Sequence, residues 1–149
     1  MRWIVVFDTN MLISALLSLR GPPFRCLALA KEGVVQSVTC QEILEEFQEK
    51  LAVKFSYSLQ RAHAAATEVR GVSRLVAITR SLNVVTADPD DDKVVECAVV
   101  GDATHIVTGD RRHLLPLGSY QGIAIVSAAD FLALVTASST ESGRPAEGK

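Results

Sequence analysis

Carboxylates stand in this chain at places where an acid is costly. Asp8 directly follows the apolar run Trp3 to Phe7, Asp88 to Asp92 follow Val84-Val85, and Asp110 follows Ile106-Val107-Thr108 after one glycine. A carboxylate at the end of a buried strand loses hydration unless a donor or a cation meets it. Two such groups ~4 Å apart repel by about 4 kcal/mol at an effective dielectric near 20, so they gather only around shared protons or bound cations. Hard oxygen donors without a His or Cys partner select magnesium or manganese. Such an ion holds phosphate oxygens and lowers the pKa of a bound water, which is the equipment of phosphodiester hydrolysis. The plainer reading makes each acid a helix cap or turn residue. For Asp90 and Asp91 it is the better account, because acids are ordinary in the first turn of a helix. It is weaker for Asp8 and Asp110, which end apolar strands.

These acids need elements to position them, and the sequence alternates strands with helices. Residues 2–7 read as a strand covered on both faces. A helix follows to Leu19, capped by Thr9 or Asn10. Gly21-Pro22-Pro23 starts a second, short helix that Gly33 closes. Val34 to Val38 is a strand, and Thr39 or Cys40 opens a helix with Ile43, Leu44, Phe47 and Leu51 at helical spacing. Glu42, Glu45, Glu46 and Glu49 lie among them and offer a fourth carboxylate. Residues 56–77 read as one or two helices with a break at Gly71. Asn83 to Thr86 is a short strand, and the acidic loop starts a helix that Gly101 ends. Strands follow at His105 to Thr108 and Ile123 to Ser127, then a helix at Ala128 to Val135. The whole predicts a three-layer α/β/α sandwich around a mostly parallel sheet of about five strands. Such a sheet carries the acids on one edge. The folded domain spans residues 1–137, and the Ser-, Thr- and Gly-rich residues 138–149 read as a flexible tail.

Composition narrows the function. With 149 residues the chain suits one domain, and 48% hydrophobic residues suffice for a core. A formal net charge of -2 excludes binding to nucleic acid through bulk positive charge alone. Cys26, Cys40 and Cys97 are far apart and form no CxxC pair, so neither a zinc ribbon nor a disulfide framework is indicated. Buried thiols in a reducing cytoplasm fit them better. No apolar run approaches the ~18 residues of a membrane span.

Four segments in order carry a family resemblance: Val6-Phe7-Asp8-Thr9-Asn10, Cys40 to Phe47, Asp88-Pro89-Asp90-Asp91-Asp92-Lys93, and His105-Ile106-Val107-Thr108-Gly109-Asp110. Together they resemble a PIN-domain ribonuclease, most of all the bacterial and archaeal branch that supplies the toxins of toxin–antitoxin pairs. The resemblance spans roughly residues 3–132. It implies a PIN-like fold and single-strand RNA cleavage with magnesium or manganese. It implies Asp8, Asp92 and Asp110 as metal ligands, and Glu46 as a catalytic acid that binds the metal or steers the attacking water. Matching Cys40 to the family's small polar residue, usually Ser, places the Glu at Glu46, with Glu45 and Glu42 as rivals. Counting back from Thr108 favours Asp92 over Asp91 and Asp90. Asn10 and Thr108 match polar residues that orient the cluster. A small antitoxin protein and a second copy of the chain are the partners the family implies, with the apolar stretches Met11 to Leu19 and Phe24 to Ala30 able to supply a contact face.

Other residues are weighed the same way. Glu96 lies four residues after Asp92 on the same helix face, as a further ligand, a supporting group or a solvated acid. Arg111 and Arg112 follow Asp110 and are candidate phosphate contacts. Lys50 reads as a surface cation, and His63, His105 and His113 as poor ligand candidates because they are scattered. A haloacid-dehalogenase-like phosphatase would also use an Asp after the first strand. It needs a second Asp two residues on, where this chain has Asn10. A phosphoaspartate receiver fits less well, and a PIN-like domain that only binds RNA or protein is the non-enzymatic alternative.

Overall fold

The structure of the chain, a computed structural model, describes the backbone of residues 2–81 and 89–147 and the side chains of residues 2–81 and 91–138. Its centre is β1 (Trp3–Phe7), almost wholly buried, as a strand with helices on both faces must be. The chain continues through α1 (Thr9–Leu17) and α2 (Pro22–Lys31) to β2 (Val35–Cys40), which pairs parallel with β1. Next come α3 (Gln41–Lys54), α4 (Leu59–Gly71) and β3 (Ser73–Val76), parallel to β2 on its far side. After α5 (Pro89–Val100), β4 (His105–Val107) pairs parallel with the other side of β1. The short α6 (Leu114–Leu117) and two-residue β5 (Ser119–Tyr120) lead to β6 (Ile123–Val126). β6 is parallel to β4, and β5 lies antiparallel on its outer edge. The last helix, α7 (Ala128–Glu147), extends past the boundary near residue 137 that composition suggests.

The sheet order is β3-β2-β1-β4-β6-β5, six strands where about five are expected. Two of them leave little sequence signal. Ser73–Val76 reads as the end of a helix, because an edge strand that buries little has no apolar alternation; it holds its register partly through the Ser37 and Ser73 hydroxyls, 2.7 Å apart. β5 is too short for any period to show. The strand expected at Asn83 to Thr86 lies outside the described residues.

The strand order decides where a site can form. From β1 the chain steps first towards β2 and β3, then crosses back through α5 to β4 on the opposite side. β1 and β4 therefore flank the point where strand order reverses, and ligands bind beyond the carboxyl ends of the strands at such a point. Right-handed crossovers put α5 on the sheet face opposite α1 and α2, where it packs on β1, β2 and β4. A Cβ at Gly101 would meet Val38 Cγ1 at 2.6 Å, so a glycine is what lets the end of α5 close on β2.

Core residues follow these layers. Val5, Val6, Phe7, Ile106 and Val107 fill the sheet, and Val94, Val95, Cys97 and Ala98 of α5 cover one face of it. Phe7, Phe47 and Phe131 are enclosed, and truncating any one to Ala costs about 3–5 kcal/mol. Trp3, His105 and Phe131 pack as an aromatic trio with ring centroids within 5.5 Å. Burial holds the half-buried His105 imidazole below its usual pKa. All three cysteines are buried and free. Among the described residues, no single helix is long and apolar enough to cross a membrane.

Candidate active site

The site starts where β1 ends. Helix α1 begins at Thr9 with no intervening loop, so Asp8 itself is the N-cap and its Oδ1 accepts the Met11 N–H at 2.8 Å. Thr9 and Asn10, the caps expected from sequence, lie inside the helix. The second oxygen of Asp8 accepts the Thr108 hydroxyl, and that hydroxyl oxygen accepts the Asp110 N–H at 2.9 Å. Asp8 also donates its own N–H to Val107 O at 3.1 Å. One threonine thus ties together the acids that leave two neighbouring strands.

The electrostatics of Asp8 are unfavourable. The residue is 4% exposed. Burial pushes its carboxyl up to about 6, the Thr108 and Met11 hydrogen bonds only partly offset this, and the charges of Asp110 and Glu46 push it further up. Among the described residues no cation pairs with it. A rise of ~2 pH units costs the ionised form about 3 kcal/mol.

Asp110 is held differently. Its carboxylate accepts the N–H groups of Arg112, His113 and Leu114 at 3.0, 3.3 and 3.1 Å, closing the turn that leads into α6. Burial raises its pKa, but the Arg112 and Leu114 N–H groups, the Asp91 carboxyl and the His113 N–H outweigh that and leave it below the usual carboxylate range. His113 Nδ1 is 3.5 Å from Asp91 and 3.8 Å from Asp110. Ligand atoms of Asp91, Asp110 and His113 lie within 4.8 Å of one another. His113 is the member that its scattered position in the sequence hides; the available signal is its place three residues after Asp110, on the same turn. Asp92, the next residue of α5, is buried.

Glu46 approaches from α3. Its Oε1 accepts the Thr9 hydroxyl at 2.7 Å and pairs with Lys93 Nζ at 2.8 Å, while Oε2 pairs with Lys50 at 3.2 Å. Lys50 also donates to Asn10 Oδ1 at 3.3 Å, so it bridges α3 and α1 rather than standing as a lone surface cation. Burial raises the Glu46 pKa, but the Lys93 and Thr9 hydrogen bonds and both ammonium charges hold the carboxyl low. Of the three rival glutamates, Glu45 is exposed and accepts from Gln41, Glu42 bears on Cys40, and Glu46 is the one whose charge bears on Asp8.

Glu96 is buried, and its Oε2 accepts the Thr79 and Arg80 N–H groups at 2.8 and 3.0 Å and the Thr79 hydroxyl at 3.0 Å. Those bonds anchor the segment leaving β3, where Arg80 has a left-handed φ of 63°. Arg111 and Arg112 are exposed. Arg111 borders a cavity of about 260 Å³ lined also by Asn10, Ser14, Thr108 and Gly109, beside the acids.

The donor set suits a hard divalent cation. An anionic oxygen of Asp8 is buried beside other acids at a cost that a cation would remove, and carboxylates dominate the surroundings.

Comparison with known proteins identifies the fold. A sequence model described as the PIN domain matches residues 4–112. The chain belongs to the PIN-domain family. Among solved structures, VapBC2 from Rickettsia felis bound to a DNA fragment from their promoter is similar at a TM-score of 0.57 and 14% identity, over 82% of this chain and 96% of that one. The T. brucei RRP44 PIN domain is similar at a TM-score of 0.53 and 12% identity, over 94% of this chain and 84% of that one. At those identities the likeness is one of PIN fold. No curated protein matches the chain.

Proposed function

We propose that this PIN domain is a metal-dependent endoribonuclease that hydrolyses phosphodiester bonds of single-stranded RNA, and that it is the toxin of a toxin–antitoxin pair. The observation that carries the reading is Asp8: a buried carboxylate, pushed up to about 6, tied through Thr108 to Asp110 at the switch point of a parallel sheet. Asp8, Asp92 and Asp110 would hold magnesium or manganese, and the bound ion supplies Lewis acidity and a water of lowered pKa.

The chain's own residues do the remaining work. Thr108 fixes Asp8 and Asp110 in one orientation, Asn10 and Thr9 hold the α3 side in place, and Arg111 and Arg112 meet substrate phosphates from the exposed turn. Glu46 completes the catalytic set. A phosphatase of the haloacid-dehalogenase kind is disfavoured, because Asn10 has no transferable proton and its side-chain oxygen accepts from Lys50.

The same reading carries a small antitoxin partner, which the likeness to VapBC2 supports, and a homodimer in the cytoplasm. One apolar surface open to either partner is a groove of about 270 Å³ that includes Leu12, Leu16, Leu19, Phe24 and Leu27. Leu17 and Leu19 are exposed, whereas Met11, Leu12, Ile13 and Ala15 already serve the core.

The test is cleavage of a mixed RNA pool with magnesium, with manganese and with a chelator, comparing the unaltered chain with Asp92→Asn. Cleavage that needs metal and disappears in the variant supports the reading. Metal-independent cutting, or equal cutting by the variant, contradicts it.

A further inference from the structure

His113 stands on the turn that Asp110 caps, and its imidazole faces acids from two elements. Its side chain is 29% exposed, open enough to meet an ion from solvent. Nδ1 lies 3.5 Å from Asp91 Oδ2 and 3.8 Å from Asp110 Oδ2. Both spacings exceed a charge-assisted hydrogen bond of about 2.7–2.9 Å. They suit donors that share an ion: bonds of about 2.0–2.2 Å put two neighbouring donor atoms roughly 3–4 Å apart. One donor atom from each of the three residues lies within 4.8 Å of the other two.

The donors are held in place before any ion arrives. The N–H groups of Arg112, His113 and Leu114 bond the Asp110 carboxylate, so the turn that carries Asp110 also fixes the backbone of His113. Asp91 comes separately, from the first turn of α5. Asp110 Oδ2, the oxygen nearest the imidazole, accepts the Leu114 N–H, and a carboxylate oxygen has a further lone pair to offer.

We propose that His113 is a nitrogen ligand of the divalent ion held at Asp110, with Asp91 a further donor to it, and that this imidazole makes the site favour Mn2+ over Mg2+. The inference rests on reading the strand-exit acids as a metal site, and it names the side chain that tunes which metal enters. Mg2+ takes oxygen donors and keeps several waters, whereas imidazole is a donor for transition metals. Nδ1 binds as the tautomer that keeps its proton on Nε2.

The experiment is electron spin echo spectroscopy of Mn2+ bound to the full, untagged chain, beside calorimetric titrations with Mn2+ and with Mg2+, all without RNA. The Mn2+ echo should carry 14N modulation from a coordinated imidazole. His113→Ala should lose that modulation and bind Mn2+ at least about tenfold weaker. Its Mg2+ affinity should stay within about threefold of the unaltered chain. His63→Ala, at an exposed position of α4, should keep the modulation. Should His113→Ala fail to fold, His113→Asn serves the same test, because its amide would bind through oxygen.

Mn2+ bound without 14N modulation overturns the inference and leaves the metal reading of the acids standing. Modulation that survives the loss of His113 comes from another ligand and overturns it as well. Equal losses of Mn2+ and Mg2+ affinity would make His113 a prop for Asp110, which also overturns it. No Mn2+ binding at all by the unaltered chain defeats the reading of the site and the inference together.

Discussion

The acids of this site divide by where they are mounted. Asp8 and Asp110 leave the ends of β1 and β4, and among the described residues no ammonium or guanidinium meets them: a threonine hydroxyl and backbone N–H groups do, with His113 Nδ1 3.8 Å from Asp110. Glu46 and Glu96 stand on helices and are met by ammonium groups or by backbone N–H and a hydroxyl. Glu46 is stabilised as an anion, whereas Asp8 is destabilised as one. Glu46 and Glu96 brace the pocket, and the strand-borne Asp8 carries the strain that a bound cation would relieve. Asp110 lies between the two, exposed enough to meet substrate and pinned by the turn it caps.

The largest expected effect is at Asp8. Asp8→Asn should lower RNA cleavage by at least about a thousandfold, through loss of a principal ligand. It should also stabilise the metal-free protein. The folded-state pKa of about 6 lies above the ordinary 3.8, so the fold binds the extra proton and loses stability as pH rises from about 4 to about 6. At pH 7 the variant should gain about 1–3 kcal/mol in chemical denaturation, the range allowing for altered hydrogen bonds. The part of the pH dependence between 4 and 6 that belongs to this residue should vanish. A variant less stable at pH 7 would break the comparison between the two kinds of acid.

Glu96→Ala should go the other way. It strands the N–H groups of Thr79 and Arg80 and should cost about 1–3 kcal/mol in denaturation. Cleavage should fall by less than for Asp8→Asn. Loss of cleavage as complete as that of Asp8→Asn, at unchanged stability, would make Glu96 a ligand instead. The smallest effect belongs to the exposed turn. Arg111→Ala combined with Arg112→Ala should raise KM for RNA by about threefold to tenfold and flatten its salt dependence, with kcat nearly unchanged. An unchanged salt slope would remove both from the substrate contact.

Much of this was legible in the chain itself. Asp8 and Asp110 stand out because an acid directly after a buried strand has few structural reasons to be there, whereas Glu46 was reached only by matching Cys40 to the family's small polar residue, with Glu45 and Glu42 left as rivals on the same helix. β3 was not legible, because Ser73-Arg74-Leu75-Val76 has no apolar alternation and the break at Gly71 reads equally as a joint between two helices. The pairing of Lys93 with Glu46 links residues from two helices, which no local pattern encodes. Glu96 reads equally as ligand or support until its bonds to Thr79 and Arg80 are seen, and the grouping of Asp91 with Asp110 and His113 exists only once β4 and α5 are packed.

The most direct test of the central claim is a crystal structure of the full chain with Mn2+, read by anomalous scattering. The account predicts a peak within about 2.0–2.6 Å of carboxylate oxygens of Asp8 and Asp110. No peak at saturating Mn2+, or a peak that leaves Asp8 outside its coordination shell, would contradict it.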